Sequence, residues 1–256
     1  MRIETTSFNN NRGRRIAARL YRGSSAGTGV VFSHGLFANK DGYKITRLAE
    51  TIVSSGADLL TFDFSYAGES GGSISELSLL QEVEDLTSAV QFFKGQGFRQ
   101  IHLMGSSLGA AVTLLYAARQ DEAVSSLILI ATPVDIHRLL ITSAGIKDPN
   151  DLPEDGYTPL EGVPIRNGFY REVASIDMTA AIQKIAVPAL AIHGMRDTVV
   201  DPTNVGLLKE YLRRPIRTVF IAEGDHSLTR DSDLRIMAEE IAGWIRGGYA
   251  ETIRKS

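Results

Sequence analysis

A serine flanked by glycines is the strongest chemical signal in this sequence. Ser107 is the central residue of Gly105-Ser106-Ser107-Leu108-Gly109, a Gly-x-Ser-x-Gly motif. The apolar segment Gln100–Met104 precedes the motif, and a segment of helical composition follows it. A sharp strand-to-helix turn of this kind exposes a serine hydroxyl, and its glycines let the two elements approach closely. The motif therefore predicts Ser107 as a nucleophile, with a glycine-rich turn capped by serine as the alternative interpretation.

A serine hydroxyl is a poor nucleophile unless a neighbouring base takes its proton. The histidines of the chain are His34, His102, His137, His193 and His226. With this type of turn the serine comes first in the chain, the acid second and the histidine last. His226 follows the last predicted strand and precedes the final helix, so it is the predicted base. His102 lies within the strand before the serine and is expected to be buried.

The acid must lie between the serine and the histidine, on a loop that follows a strand. Asp197 lies on such a loop, at the strand end where the sites of α/β sheets form. Its carboxylate would hold His226 in the required tautomer. Asp201 is the competing candidate, but Asp before Pro202 is typical of a helix start. Asp225 is adjacent to His226 in sequence and is badly placed to orient the ring.

Two backbone amides are the predicted donors to the developing oxyanion. One is the N–H of Leu108, directly after the nucleophile, and the other lies on the loop His34-Gly35-Leu36-Phe37 that follows a strand. Leu36 is the preferred donor on that loop, and Phe37 is the alternative. Because both donate through the backbone, their side-chain types carry no signal, and His34-Gly35 alone is equally typical of a plain strand-ending turn.

Short apolar segments alternate with longer amphipathic segments along most of the chain. The predicted strands are Ile3–Phe8, Arg15–Tyr21, Gly29–Ser33, Asp58–Phe64, Gln100–Met104, Val124–Ala131, Val187–His193 and Pro215–Ala222. Uniformly apolar strands suit a parallel sheet covered on both faces, and the alternation indicates βαβ units. Within Ser75–Phe93, the residues spaced to share one helix face are Leu77, Leu80, Val83, Leu86, Val90 and Phe93. We therefore predict an α/β fold with a mostly parallel central sheet flanked by helices.

One interval, residues 132–186, interrupts this alternation. It is longer than a crossover helix requires and contains five of the eight prolines of the chain: Pro133, Pro149, Pro153, Pro159 and Pro164. Long insertions between core elements are often lids or binding loops. We predict a core formed by residues 1–131 and 187–256, with a short lid formed by residues 132–186. A disordered insertion is the weaker alternative, because hydrophobic residues are spread through it.

The composition excludes several classes of function. The formal net charge of −3 provides no basic balance for nucleic acid or an anionic membrane. The clustered arginines near the start are interpreted as a solvated face of a hairpin: Arg12, Arg14, Arg15, Arg19 and Arg22. The chain has no cysteine, which excludes disulfides, a cysteine nucleophile and zinc–thiolate sites. The glycine-rich fingerprints of dinucleotide and nucleotide binding are also absent from the sequence.

The beginning of the chain lacks the apolar segment of a secretory signal. No run approaches the ~20 apolar residues that a membrane-spanning helix needs. We therefore expect a cytoplasmic protein without nucleic-acid or membrane partners, as a monomer or homodimer, although a mature secreted protein would look the same.

Several sequence blocks together resemble the α/β-hydrolase superfamily. They are His34-Gly35-Leu36, Asp63-Phe64-Ser65-Tyr66-Ala67-Gly68-Glu69-Ser70, Gly105-Ser106-Ser107-Leu108-Gly109, His193-Gly194-Met195-Arg196-Asp197 and Gly224-Asp225-His226. Within the superfamily the chain is similar to the cinnamoyl/feruloyl esterase and serine aminopeptidase-like group, from about Gly29 to Trp244. The resemblance implies Ser107 as nucleophile, Asp197 as acid, His226 as base, Leu36 and Leu108 as amide donors, and no metal or organic cofactor.

Two departures from the family pattern concern the substrate and leave the catalytic groups in place. Relatives often have Arg-Gly-His-Gly where this chain has Ser65-Tyr66-Ala67-Gly68. They also often have His or Gln beside the nucleophile, where Ser106 and Leu108 stand.

The preferred hypothesis is a serine carboxylesterase acting on a small-molecule ester through an acyl-enzyme. Small to medium acyl esters, with aromatic cinnamoyl or feruloyl-type esters among them, are the expected substrates. An acyl thioesterase would use the same residues. A serine aminopeptidase would need a negative pocket, for which the insertion offers Glu154, Asp155, Glu161, Glu172 and Asp177. A non-catalytic ligand-binding member of the fold is the alternative from a different class.

Overall fold

A computed structural model describes residues 1–25 and 27–249 of the chain. Its main sheet has eight strands in the order β1-β2-β4-β3-β5-β6-β9-β10. Their bounds are β1 Arg2–Asn9, β2 Arg15–Arg22, β3 Thr28–Ser33, β4 Asp58–Phe62, β5 Gln100–Ser106, β6 Val124–Ile130, β9 Ala189–Gly194 and β10 Ile216–Ile221. The remaining two strands, β7 Tyr157–Leu160 and β8 Val163–Arg166, form a separate antiparallel hairpin. Every strand expected from the sequence is present, with ends shifted by a few residues.

The sheet is parallel from β4 to β10, and only the first two strands run against it. The difference follows from burial. Strand β1 alternates between exposed and half-buried residues, which suits an antiparallel edge strand with one wet face. All residues of β4 and β9 are buried, since helices cover both faces there. The prediction of a mostly parallel α/β sheet is confirmed.

Helices pack on both faces of the sheet. Their bounds are α1 Tyr43–Ser54, α2 Leu79–Gly95, α3 Leu108–Ala117, α4 Ile136–Ser143, α5 Asn167–Ser175, α6 Met178–Gln183, α7 Asn204–Tyr211 and α8 Asp231–Gly243. Helices α1 and α8 share one apolar cluster with one sheet face, and α2 and α3 belong to the cluster on the other face. No helix among the described residues is long and apolar enough to cross a membrane.

The predicted apolar face of α2 needs one correction. Leu80 was expected on that face, yet its side chain is 50% exposed, whereas Leu79 is fully buried. The helix begins at Leu79, where the side chain of Ser78 caps it by accepting the N–H of Gln81. This start places Leu79 and Val83 on the inward side, four residues apart, and turns Leu80 toward solvent.

Residues 132–186 form an ordered layer of short elements that includes α4, the β7–β8 hairpin, α5 and α6. Its own apolar side chains are buried, among them Ile165 and Tyr170. Glu172 ties this layer to the core, because its carboxylate accepts the Ser78 hydroxyl at 2.7 Å and the Leu80 N–H at 3.1 Å. Its role as a lid stays a prediction.

Candidate active site

Ser107 lies on a sharp turn between β5 and α3. Its backbone has φ 54° and ψ −123°, in a region that costs a residue with a side chain about 1–3 kcal/mol. The turn is held because the Ser107 N–H donates to the carbonyl of Ile130 at 2.9 Å. A Cβ on Gly109 would overlap the carbonyl oxygens of Ser33 and His34. Glycine therefore lets α3 begin directly against the end of β3.

His226 lies on the loop between β10 and α8. The Ser107 hydroxyl lies 3.0 Å from His226 Nε2, within hydrogen-bond distance. Asp225 shapes the same loop, since its carboxylate accepts the N–H of Leu228 at 2.9 Å. The side chain of His226 is 24% exposed, so the ring is accessible from the cavity above the serine. The arrangement lets the imidazole remove the serine proton.

Asp197 is the partner on the other side of the ring. His226 Nδ1 donates to Asp197 Oδ2 at 2.8 Å, while Oδ1 accepts the N–H groups of Val199 at 2.9 Å and Val200 at 2.8 Å. Burial by itself would raise the pKa of Asp197, but hydrogen bonds from His193, His226 and the backbone outweigh it and hold this pKa well below the ordinary value. Asp197 therefore remains a carboxylate, which stabilises the imidazolium formed during catalysis.

His193 supports the acid. Its Nε2 lies 2.9 Å from the carbonyl of Val200 and 3.3 Å from Asp197 Oδ2, and its side chain is 1% exposed. The sequence marked His193 only as a histidine after a strand, and the structure shows it to be a neighbour of the carboxylate.

The competing acid and the other histidines lie elsewhere. Asp201 accepts the N–H of Thr203 at 2.8 Å, in the turn that leads into α7. His102 is buried with its Nδ1 2.8 Å from the Ser126 hydroxyl, and burial lowers its pKa to about 4. His137 is exposed on α4. None of these three side chains hydrogen-bonds to the serine or to the base within the described residues.

The predicted amide donors border the nucleophile. A Cβ on Gly35 would lie 3.3 Å from Ser107 Cβ, so the loop after β3 passes directly beside the serine. The N–H groups of Leu36 and Leu108 donate to no protein atom within residues 1–25 and 27–249. Free N–H groups beside a nucleophile are what an oxyanion hole requires. Phe37, the alternative donor, has a φ of 57°.

His34 fixes the shape of that loop. Its Nδ1 donates to the carbonyl of Gly35 at 2.8 Å, and its Nε2 accepts the N–H of Phe64 at 3.1 Å. Burial lowers the pKa of His34, which keeps the ring neutral and Nε2 free to accept. The ring thus joins the loops that follow β3 and β4.

A buried lysine ties the same two loops together. Lys40 is 2% exposed, and its Nζ pairs with Asp63 at 3.0 Å, Glu69 at 2.6 Å and Asp41 at 3.2 Å. Burial alone would lower the pKa of Lys40, yet these carboxylates raise it to about 12. The ammonium is fully engaged inside the protein, which makes Lys40 a structural cation.

Two cavities open beside Ser107, and both also touch His226 and Leu36. The first, of about 220 Å³, has insertion side chains in its wall, including Leu139, Leu140 and Leu160. We call it the apolar cavity.

The second cavity, of about 300 Å³, is lined by Lys44 and Ser106 among others. We call it the lysine cavity. Larger depressions of about 410 and 610 Å³ lie along α4 and α7 and contain none of the three reactive side chains. Lys44 was missed by the sequence reasoning, because a lysine at the start of an amphipathic helix carries no signal of its own.

Replacing Gly109 with Ala tests the close packing behind the nucleophile. The added methyl would meet two backbone carbonyls that cannot move independently of β3, so we expect a loss of about 1–3 kcal/mol in the free energy of unfolding. We also expect kcat/KM to fall, because the turn that presents Ser107 would shift. Urea denaturation measures the first effect, and ester hydrolysis measures the second.

Gly206→Ala is the matched control. Gly206 lies within α7, and a Cβ there would meet no atom within 4 Å. We expect this variant to gain roughly 0.5–1 kcal/mol from helix propensity. Equal stability of the two variants would contradict the packing argument.

Comparison with known proteins adds a family to this geometry. A family model described as the alpha/beta hydrolase fold matches residues 29–164. A curated relative, the mitochondrial palmitoyl-protein thioesterase ABHD10 of Bos taurus, is 24% identical over 234 residues, covering 88% of this chain and 75% of its own length.

Two solved structures have the same fold over almost the whole chain. Est1E from Butyrivibrio proteoclasticus, solved with ferulic acid bound, aligns with a TM-score of 0.84 at 20% identity and covers 94% of this chain and 97% of its own. The esterase domain of a Rhodothermus marinus protein aligns with a TM-score of 0.75 at 27% identity, covering 96% and 98%. The chain therefore belongs to the alpha/beta hydrolase fold family.

Proposed function

We propose that this protein is a serine hydrolase that cleaves carboxylic esters through an acyl-enzyme on Ser107. The observation that carries the proposal is the unbroken series of contacts from Asp197 through His226 to Ser107. The two free amides beside the serine support it, because the reaction needs both a proton acceptor and donors to the oxyanion.

The geometry suggests how each step proceeds. His226 Nε2 takes the hydroxyl proton as Ser107 Oγ attacks the carbonyl carbon, and the oxygen that becomes negative accepts the N–H groups of Leu36 and Leu108. The imidazolium then gives that proton to the departing alcohol, which leaves Ser107 acylated. A water molecule, deprotonated by the same imidazole, attacks the acyl carbon and releases the acid. Loss of one oxyanion donor typically costs about 3–4 kcal/mol.

The apolar cavity supports small to medium acyl groups as substrates. Leucine side chains from the insertion face the nucleophile there, so the cavity suits an aliphatic or aromatic group. The Rhodothermus marinus esterase domain and the ferulate-bound Est1E are consistent with ester substrates, aromatic ones among them.

A thioesterase is the second candidate, favoured by the similarity to a palmitoyl-protein thioesterase. A thioester would be attacked at the same carbon with the same donors, so geometry at the serine does not separate the two. The apolar cavity of about 220 Å³ is small for a palmitoyl chain, which favours shorter acyl groups.

The aminopeptidase alternative has less support. Of the five acidic residues of the insertion named for an amine pocket, only Glu161 lines a cavity with Ser107. Glu172 is bonded to Ser78 and Leu80, and Asp177 caps α6 by accepting the N–H of Ala180 at 2.8 Å. These contacts make the two carboxylates structural.

A fluorophosphonate probe and a substrate panel test the proposal together. We expect rapid labelling of Ser107, turnover of 4-nitrophenyl esters and thioesters from two to eight carbons, and little turnover of aminoacyl-naphthylamides. The ratio of thioester to oxyester turnover at each chain length decides between the two candidates. A folded protein that neither reacts with the probe nor turns over the panel would instead be a ligand-binding member of the fold.

A further inference from the structure

Lys44 is a lysine beside the nucleophile that has no carboxylate partner. Its Nζ donates to the Ser106 hydroxyl at 3.1 Å, and it forms no ion pair within residues 1–25 and 27–249. An ammonium group has three donors, so the protein leaves part of its capacity unused. Lys40, which contacts three carboxylates, shows the contrasting case of a lysine that serves the fold.

The two carboxylates that act on Lys44 through space are already committed. Asp197 accepts the N–H groups of Val199 and Val200 and contacts His226, and Asp225 accepts the Leu228 N–H. Burial lowers the pKa of Lys44 to about 8, although Asp197 and Asp225 act in the opposite direction. The ammonium is therefore a partly buried charge that the protein leaves without a counter-ion.

The lysine cavity offers an anion what Lys44 lacks. Its wall contains hydroxyl and amide side chains and no acidic side chain: Asn39, Tyr43, Ser106, Ser227 and Thr229 contribute the polar groups. The first turn of α1 also lines it, and no side chain caps that helix. The N-terminus of a helix favours negative charge, which adds to the attraction of the ammonium.

We propose that the lysine cavity binds a carboxylate carried by the substrate itself, so that the preferred substrates are esters with an acidic group on one side of the reacting carbonyl. Ser106 and Ser107 line the same cavity, which places the ammonium close to the reacting bond. A volume of about 300 Å³ holds a chain of several atoms ending in a carboxylate. The apolar cavity on the other side of Ser107 receives the uncharged part. This inference rests on the proposed ester hydrolase function and narrows its substrate class.

Two pairs of esters test the proposal, and each pair differs only in a terminal methyl replaced by a carboxylate. The acyl-side pair is methyl hexanoate and monomethyl adipate, and the alcohol-side pair is butyl butanoate and 4-butanoyloxybutanoate. We expect kcat/KM to be about tenfold higher for the carboxylate ester in one of the two pairs, as a hydrogen-bonded charge pair provides. The pair that shows the preference identifies the side of the ester that enters the lysine cavity.

Lys44→Met should reverse that ratio, because the carboxylate would then enter the cavity without a partner. The ratio is the readout because any general loss of activity cancels in it, and Lys44→Arg, which keeps the charge, should retain a preference. Lys209→Met is the control, since Lys209 is exposed on α7. If Lys44→Met does not fold, Lys44→Gln provides the same comparison.

The same ratio should depend on pH. Lys44 is charged below about pH 8, so the preference is present there and is lost as the pH rises through 8. The titration of the catalytic base affects both esters of a pair and cancels in the ratio. The titratable groups that face Lys44 are Asp197 and Asp225 through space, with His34, Tyr43 and His226 in the cavity wall.

The outcomes separate this inference from the proposed function. Hydrolysis of the neutral esters without any carboxylate preference, or a preference that Lys44→Met leaves unchanged, would overturn the inference alone. A failure to hydrolyse any of the four esters or the 4-nitrophenyl esters would overturn the proposed function.

Discussion

Ser107→Ala is expected to lower kcat/KM for 4-nitrophenyl butyrate by about 10⁴-fold or more. The variant keeps the Cβ and the turn but removes the only oxygen that lies 3.0 Å from His226 Nε2 in the described structure. No acyl-enzyme can then form, and the amides of Leu36 and Leu108 retain only the residual catalysis of an oxyanion hole. Steady-state hydrolysis over a range of enzyme concentrations measures the loss.

The control for this variant is Ser54→Ala, at the exposed end of α1. We expect it to react with the fluorophosphonate probe and to hydrolyse the ester as the unsubstituted protein does. Thermal denaturation should give Ser107→Ala a free energy of unfolding within about 1 kcal/mol of the parent, since no buried contact is lost. Turnover retained by Ser107→Ala would refute the assignment of the nucleophile and with it the proposed function.

Asp197→Asn is expected to lower kcat by about 10⁴-fold while the protein stays folded. The side-chain oxygen of Asn would take the position of Oδ1, where the N–H groups of Val199 and Val200 donate. Its NH₂ group would then face His226 Nδ1 and require that nitrogen to accept. The ring proton must move to Nε2, and the imidazole can no longer take the proton of Ser107.

Asp201→Asn is the matched control, because Asp201 is the other carboxylate on the same loop and its contact is with the N–H of Thr203. Asparagine can accept that N–H equally well, so we expect little change in kcat. Equal losses in the two variants would contradict the assignment of Asp197, and a larger loss in Asp201→Asn would transfer the role to Asp201.

The geometry also indicates why the Asp197 variant is informative about its surroundings. The His193 Nε2 lies 3.3 Å from Asp197 Oδ2, and an NH₂ group in that position would face a second ring nitrogen. We therefore expect the substitution to disturb two histidines, of which one is catalytic and one is structural. Nuclear magnetic resonance of the histidine ring protons separates the two effects.

The parts of the fold that follow from local patterns are those that the sequence determined. Apolar runs of strand length, amphipathic spacing and the glycines around Ser107 are properties of neighbouring residues, and they produced the parallel sheet and the turn. The same local reasoning misplaced Leu80, because a one-residue change in where α2 begins rotates each side chain by about 100°. The β7–β8 hairpin was also missed, since Pro159 and Pro164 within it are typical of loops.

Chain order was enough to nominate Asp197 and His226, but only the tertiary structure brings them into contact. His226 lies 119 positions from Ser107 and 29 from Asp197, so their distances depend on how β5, β9 and β10 assemble. The role of Lys44 depends on assembly even more, because the first turn of α1 becomes part of a cavity only when it packs beside the serine. The sequence alone thus determined the type of chemistry, since that resides in residue types and local turns. The tertiary structure decided which charge faces the substrate, since charges distant in sequence meet only in the folded chain.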